Sequence, residues 1–221
     1  AESLPLAPHP TPGLLLLCAW LAAQLYPQPL VFATGDLVSA WASIPGNPVH
    51  PWLSGWMLPH ELEPFAEAAG VSMTVLAVGM LTHDLLREGA RGATRAVAVP
   101  IVAAVAIKTA ASAAYLGQAN AFGWLSAGAQ GGLIAGIVAL LLLGWVGRRP
   151  RLWLAIAALA AATALFNLAP PNAYYLSMRT GWGGGAWTNF HGLLRALSTA
   201  WPFAAMAWCV WRLRRTGRRR L

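Results

Sequence analysis

Long apolar stretches alternate along the chain with short polar connections rich either in arginine or in proline and glycine. The apolar stretches fall at about 12–32, 64–83, 96–116, 123–146, 152–168 and 190–211. At about 1.5 Å of rise per residue, such lengths approach or exceed what crosses the roughly 30 Å hydrocarbon layer of a bilayer. The pattern predicts an all-α, polytopic membrane helical bundle of about six transmembrane helices, with 1–221 forming a single transmembrane domain. Pro27 and Pro29 break the first span, Pro64 suits the first turn of the second, and Pro202 predicts a kink in the sixth. Gly128, Gly132 and Gly136 recur at four-residue intervals on one face of the fourth span, which lets another helix approach closely.

The connections differ in character. From Ala33 to Glu63 the chain is polar and aromatic, with Trp41, Trp52, Trp56, His50 and His60, and this predicts an interfacial hairpin or short amphipathic helix. The stretch from Asn167 to Pro202 runs through Pro170-Pro171-Asn172-Ala173-Tyr174-Tyr175, Gly181-Trp182-Gly183-Gly184-Gly185 and Asn189-Phe190-His191-Gly192. Its Pro and Gly predict turns rather than another span. A backbone of this kind has no hydrogen-bond partners in lipid. It reads either as a membrane-surface connector anchored by Tyr174, Tyr175, Trp182 and Trp187 or as a lid over a site.

Composition agrees with the pattern: 57% of residues are hydrophobic and 10% charged, and mean hydropathy is +0.55. A net charge of +8 would suit nucleic acid, but its placement excludes that partner. Twelve of the fifteen basic residues lie beside apolar spans, in clusters at Arg87–Arg95, Arg148–Arg151 and Arg212–Arg220. These follow the second, fourth and sixth spans, so both termini are predicted to be cytoplasmic. Trp145, Trp153, Trp208 and Trp211 then mark the inner boundary, and Trp124, Trp182 and Trp187 the outer. No basic segment precedes Leu14–Leu17, so that run reads as a span rather than a signal peptide. Opening on Ala1 rather than Met, the chain reads as processed, trimmed or part of something longer. Cys18 and Cys209 both fall near predicted cytoplasmic ends, and no disulfide is expected.

Several patches resemble the VanZ-like membrane family: Trp20-Leu21-Ala22-Ala23-Gln24-Leu25-Tyr26-Pro27 with Phe32-Ala33-Thr34-Gly35-Asp36, Trp124-Leu125-Ser126-Ala127-Gly128-Ala129, and Asn167–Tyr174 with Trp182, Asn189–Leu193 and Trp201-Pro202. The chain is similar to the C-terminal membrane half of longer members; the Glu–Gln–Arg–Asp–Asn series of their N-terminal half is not found. The resemblance implies a multi-pass protein of the bacterial inner membrane and a link to glycopeptide, chiefly teicoplanin, resistance.

Candidate chemistry is sparse. His60-Glu61 lacks the second His of a helical zinc motif, since Pro64 stands where it belongs, so no metal and no cofactor is expected. The charges within spans are more informative, because ionisable groups in a membrane face the protein interior and pair. Glu67, Lys108 and Arg195 fall at similar depths below the predicted outer face, with His191 one turn from Arg195. Asn172, Arg179 and Asn189 add donors from the connection above. Together these residues predict either an ion pair between Glu67 and one cation or a pocket for an anionic lipid or envelope precursor. The leading functional expectation is thus a non-catalytic protein that binds an anionic envelope lipid or amphiphile at its outer face. An enzyme acting on a lipid-linked phosphate or glycan, with His60, Glu61 or His191 as acid or base, is one alternative. A structural subunit of a membrane assembly is the other. A transporter is disfavoured by the absence of an obvious inverted repeat.

Overall fold

The computed structural model describes residues 6–7, 10–38, 55–86, 93–181 and 188–218. Among these, every extended element is helical: α1 (Thr11–Ala23), α2 (Glu63–Asp84), α3 (Ala93–Leu116), α4 (Ala127–Leu143), α5 (Arg148–Leu168), α6 (Ala173–Gly181) and α7 (Thr188–Arg218). Single 3₁₀ turns, His60–Leu62 and Gln118–Asn120, precede α2 and follow α3. Segments centred on α2, α3, α5 and α7 are long and apolar enough to cross a membrane, while α1 and α4 are shorter apolar helices.

The central helix is α2. Its apolar window is 67% buried, against 39% for α3 and α5 and 33% for α7. Glycines on both helices explain why α4 packs so closely on it. A methyl group on Gly132 would stand 2.6 Å from the Ala68 carbonyl oxygen and 2.7 Å from Val71 Cβ. One on Gly136 would stand 2.8 Å from Val75 Cβ, and one on Gly128 would stand 2.6 Å from the Pro64 carbonyl oxygen. The four-residue glycine spacing therefore does mark a helix–helix contact. Gly132→Leu should destabilise the protein by about 1–3 kcal/mol through overpacking, and more if the backbones cannot separate. An unchanged melting temperature in detergent would contradict that.

The other helices present one stripe each. In α3 the buried positions are Val97, Pro100, Ile101, Ala104, Lys108, Ala111 and Ser112, a helical-period face. In α5 they include Leu152, Ala155, Leu159, Ala162 and Phe166, and Phe166 fills the space left by Gly70 on α2. Pro100 and Pro202 lie inside helices that continue through them. Trp20, Phe32, Trp124 and Trp201, all buried, meet at the centre, with ring centroids 5.7 Å apart for Trp20–Phe32 and 6.1 Å for Trp20–Trp201.

The first predicted span, 12–32, needs correction. Helix α1 stops at Ala23, so it is about 20 Å long. Residues 24–36 then run as irregular backbone, buried from Pro27 through Gly35. The prolines at 27 and 29 deny this segment helical hydrogen bonds, and the surrounding helices supply partners instead. Phe32 and Gly35 adopt positive φ, 60° and 81°. A second correction concerns the stretch expected to hold only turns. Residues 173–181 form helix α6, because Asn172 accepts the Tyr175 N–H at 2.8 Å as an N-terminal cap. The glycine-rich 182–187 and the aromatic 39–54 lie outside the described residues.

The helices alternate in direction, which creates two unlike ends. The end of α2, the start of α5 and the end of α7 gather arginines around Asp84; the start of α1 joins them, with Ala7 N–H donating to the Leu85 carbonyl at 2.8 Å. This is the basic end. The opposite, polar end holds residues 24–38, the start of α2 and helix α6.

Candidate functional site

The polar end is built around the irregular segment. Glu67, on the second turn of α2, is 1% exposed. Its Oε1 accepts the Val31 N–H at 3.2 Å and the Asn172 side-chain amide at 2.8 Å. Its Oε2 accepts the Ser126 hydroxyl, while Ser126 Oγ caps α4 by accepting the Ala129 N–H at 3.0 Å. Gly128 leaves room for this carboxylate: a Cβ there would stand 2.8 Å from Oε2. Asn172 also donates its own N–H to the Pro29 carbonyl at 3.0 Å. One carboxylate thus ties the segment to α2, α4 and the loop before α6.

Two further amides complete the clamp. The Asn167 side chain donates to the Gly35 and Thr163 carbonyls, both at 2.7 Å, and accepts the Leu37 and Val38 N–H groups at 2.8 and 2.9 Å. That saturates the amide's hydrogen-bonding capacity. Gln28 donates to the Ala23 carbonyl at 3.1 Å and to Ser198 Oγ at 3.4 Å, and Gly35 N–H donates to the Ser198 carbonyl at 2.9 Å. Lys108, 2% exposed, donates to the Tyr26 carbonyl at 3.2 Å. The Tyr174 hydroxyl lies beside Ser112, and burial pushes that phenol above its ordinary ionisation range.

Among the residues predicted to form a site, the structure joins Glu67 with Asn172. Lys108 engages the same irregular segment at a different carbonyl. Among the described residues Glu67 bonds to uncharged groups, and Lys108 donates to the Tyr26 carbonyl rather than to it. Arg195 is half-buried on α7 and has a partner of its own. The side chains of Arg179, Asn189 and His191 lie outside the described residues. His60 and Glu61 are exposed on the turn before α2. Among the described residues no three of His, Cys, Asp and Glu gather closely enough to hold a metal ion.

The basic end contains a cluster that the sequence reading did not single out. The Asp84 carboxylate is fully buried. Arg148 Nε donates to its Oδ1 at 2.7 Å, and Arg212 Nε and Nη2 approach Oδ2 at 2.9 and 2.8 Å. Arg212 also lies 5.3 Å from the Trp208 ring, and Arg215 lies 4.0 Å from that of Trp211. Beside this end a groove of about 480 Å³ opens between α3 and α4, lined by His83 from α2 and by Val97, Ile101, Ile137, Leu141 and Trp145 among others.

No family model, curated protein or solved structure matches this chain. The class is set by the architecture: an all-helical protein with four helices long and apolar enough to span a membrane.

Proposed function

We propose that this is a non-catalytic, multi-pass membrane protein that binds an anionic amphiphile, with its acyl chain in the groove between α3 and α4. The groove is the observation that carries the reading. Its walls are apolar apart from His83 and Thr94, and His83 stands next in sequence to Asp84, around which Arg148 and Arg212 gather. An acyl chain gains no hydrophobic free energy by leaving lipid for such a groove, so selection rests on close packing and on the headgroup. Each Arg near the surface contributes about 1 kcal/mol towards an anionic headgroup.

The sequence alone points to the outer, polar end for the same class of ligand, and the groove offers a second place for it at the basic end. At the polar end Glu67 adds negative charge, and Asn172 is engaged in holding Glu67, Pro29 and Tyr175. With arginine clusters as the topology signal, the basic end faces the cytoplasm and both termini lie there. The VanZ-like patches support placement in a bacterial inner membrane and a link to glycopeptide, chiefly teicoplanin, resistance.

The test fills the groove. Ala98→Trp and Ile137→Trp should reduce retention of phosphatidylglycerol relative to phosphatidylcholine by about tenfold, the worth of one to two headgroup contacts. Native mass spectrometry from mixed-lipid nanodiscs reads this directly. Unchanged lipid retention in both folded variants would remove the groove as a site.

A further inference from the structure

Of the fifteen basic residues, fourteen are arginine and one is lysine. That lysine, Lys108, lies deep in the bundle, about 12 Å from the end of α3. Arginine stays charged in proteins, whereas a lysine amine can become neutral when buried. The lysine side chain meets one neutral acceptor, the Tyr26 carbonyl, which leaves further donor capacity on its nitrogen.

The adjoining stretch from Trp20 to Gln28 carries the complementary need. Trp20 Nε1, Gln24 Oε1 and Gln28 Oε1 are buried and have no hydrogen-bond partner among the described residues, and the three residues are 0%, 0% and 2% exposed. The Gln24 and Gln28 amide nitrogens are already engaged, with the Trp20 carbonyl at 2.9 Å and the Ala23 carbonyl at 3.1 Å. An unmet buried group costs about 1–3 kcal/mol, so three of them within nine residues of chain point to an occupant that pairs with them. Lys108 and Trp20 call for an acceptor, and the two glutamine oxygens call for donors. Water offers both; a bare anion or a metal ion offers one.

We infer that Lys108 is an intramembrane proton-binding amine, seated in a hydrated pocket under the irregular segment and in exchange with solvent at the polar end. In the exchange step the Nζ lone pair takes a proton from hydronium and leaves water; the reverse step returns it. The ammonium so formed is held by the Tyr26 carbonyl and, through water, by the glutamine oxygens. Ser112, one turn away on the buried face of α3, and the Tyr174 hydroxyl beside it lead towards the polar end. Among the described residues the ionisable groups on the elements at this end are Tyr26 and Asp36 in the segment, His60 and Glu61 on the turn before α2, Glu63 and Glu67 on α2, Tyr115 on α3, Tyr174 and Tyr175 on α6 and Arg195 on α7; α1 brings no carboxylate. This site is separate from the groove, whose ionisable residue, His83, lies at the far end of α2.

A single lysine makes the test clean. Reductive methylation of the folded protein in phosphatidylcholine nanodiscs, with ¹³C-formaldehyde and peptide mass mapping, reports access of a small water-borne reagent to Lys108. A short lysine-containing peptide added to the same sample serves as the exposed reference. Lys108 should be methylated in folded protein, and Gln24→Leu or Gln28→Leu should slow it by about tenfold without slowing the reference peptide, because each dries the pocket. Where one leucine variant fails to fold, the other carries the comparison. Lys108 remaining unmodified until tryptophan fluorescence reports unfolding would overturn the inference. So would a labelling rate that neither leucine substitution changes in folded protein.

Discussion

Asp84→Ala should lower stability by about 3–5 kcal/mol, which is the usual cost of removing one partner from a buried ion pair. The carboxylate is fully buried and takes charged donors from two helices that are distant in sequence, Arg148 on α5 and Arg212 on α7. With it gone, the 11%-exposed Arg212 side chain keeps its charge and loses its counter-ion. Arg148, at 32% exposure, can turn towards water and loses less. Arg212→Met should therefore be milder than Asp84→Ala, since it removes the stranded cation while retaining much of the stem's packing. Pairing Arg212→Met with Asp84→Ala should recover part of the Asp84→Ala loss. Thermal or denaturant unfolding in one detergent measures all three. If Asp84→Ala costs under about 1 kcal/mol, the basic end is not held together by this carboxylate.

Glu67→Ala should cost a similar amount, about 3–5 kcal/mol, for a different reason. It strands several donors at once: the Val31 N–H, the Asn172 amide and the Ser126 hydroxyl. Each buried donor left unmet costs about 1–3 kcal/mol. The consequence is local as well as global, because the irregular segment loses its tie to α2. Amide exchange at residues 27–35 should accelerate before that of the α2 core. Glu67→Gln is the informative control. Its carbonyl oxygen can still accept from Val31 and Asn172, and its amide can donate to Ser126 Oγ, so the loss should fall to about 1 kcal/mol. If the glutamine variant were as damaged as the alanine one, negative charge rather than hydrogen-bond capacity would be what the site requires.

The glycine contact was legible because helical periodicity is local: residues four apart share a face whatever they pack against. Gly128, Gly132 and Gly136 therefore predicted a close neighbour, though not that the neighbour would be α2. Glu67 and Lys108 were legible as polar positions in apolar runs. Their partners were not. A backbone N–H such as that of Val31 is the same group at every residue and leaves no trace in the sequence. Asp84 was overlooked for a related reason: Arg148 and Arg212 read as topology signals until three helix ends came together around the acid.

The misread elements are the ones where local rules met tertiary supply. Pro27 and Pro29 mark a break in the 12–32 span, but the helix ends earlier, at Ala23, and irregular backbone at that depth is tolerated only where protein buries it. The bundle buries that backbone and satisfies it with Asn167, Asn172, Ser198, Glu67 and Lys108. Likewise Pro and Gly argued for turns after α5, whereas the Asn172 cap starts a helix at Ala173. Sequence alone determined the helical class, the apolar spans and their small-residue faces, since these follow from composition and period. Only the tertiary structure decided which polar groups meet, because partners such as Asn172 and Glu67 stand 105 residues apart and are joined by packing that no local pattern encodes.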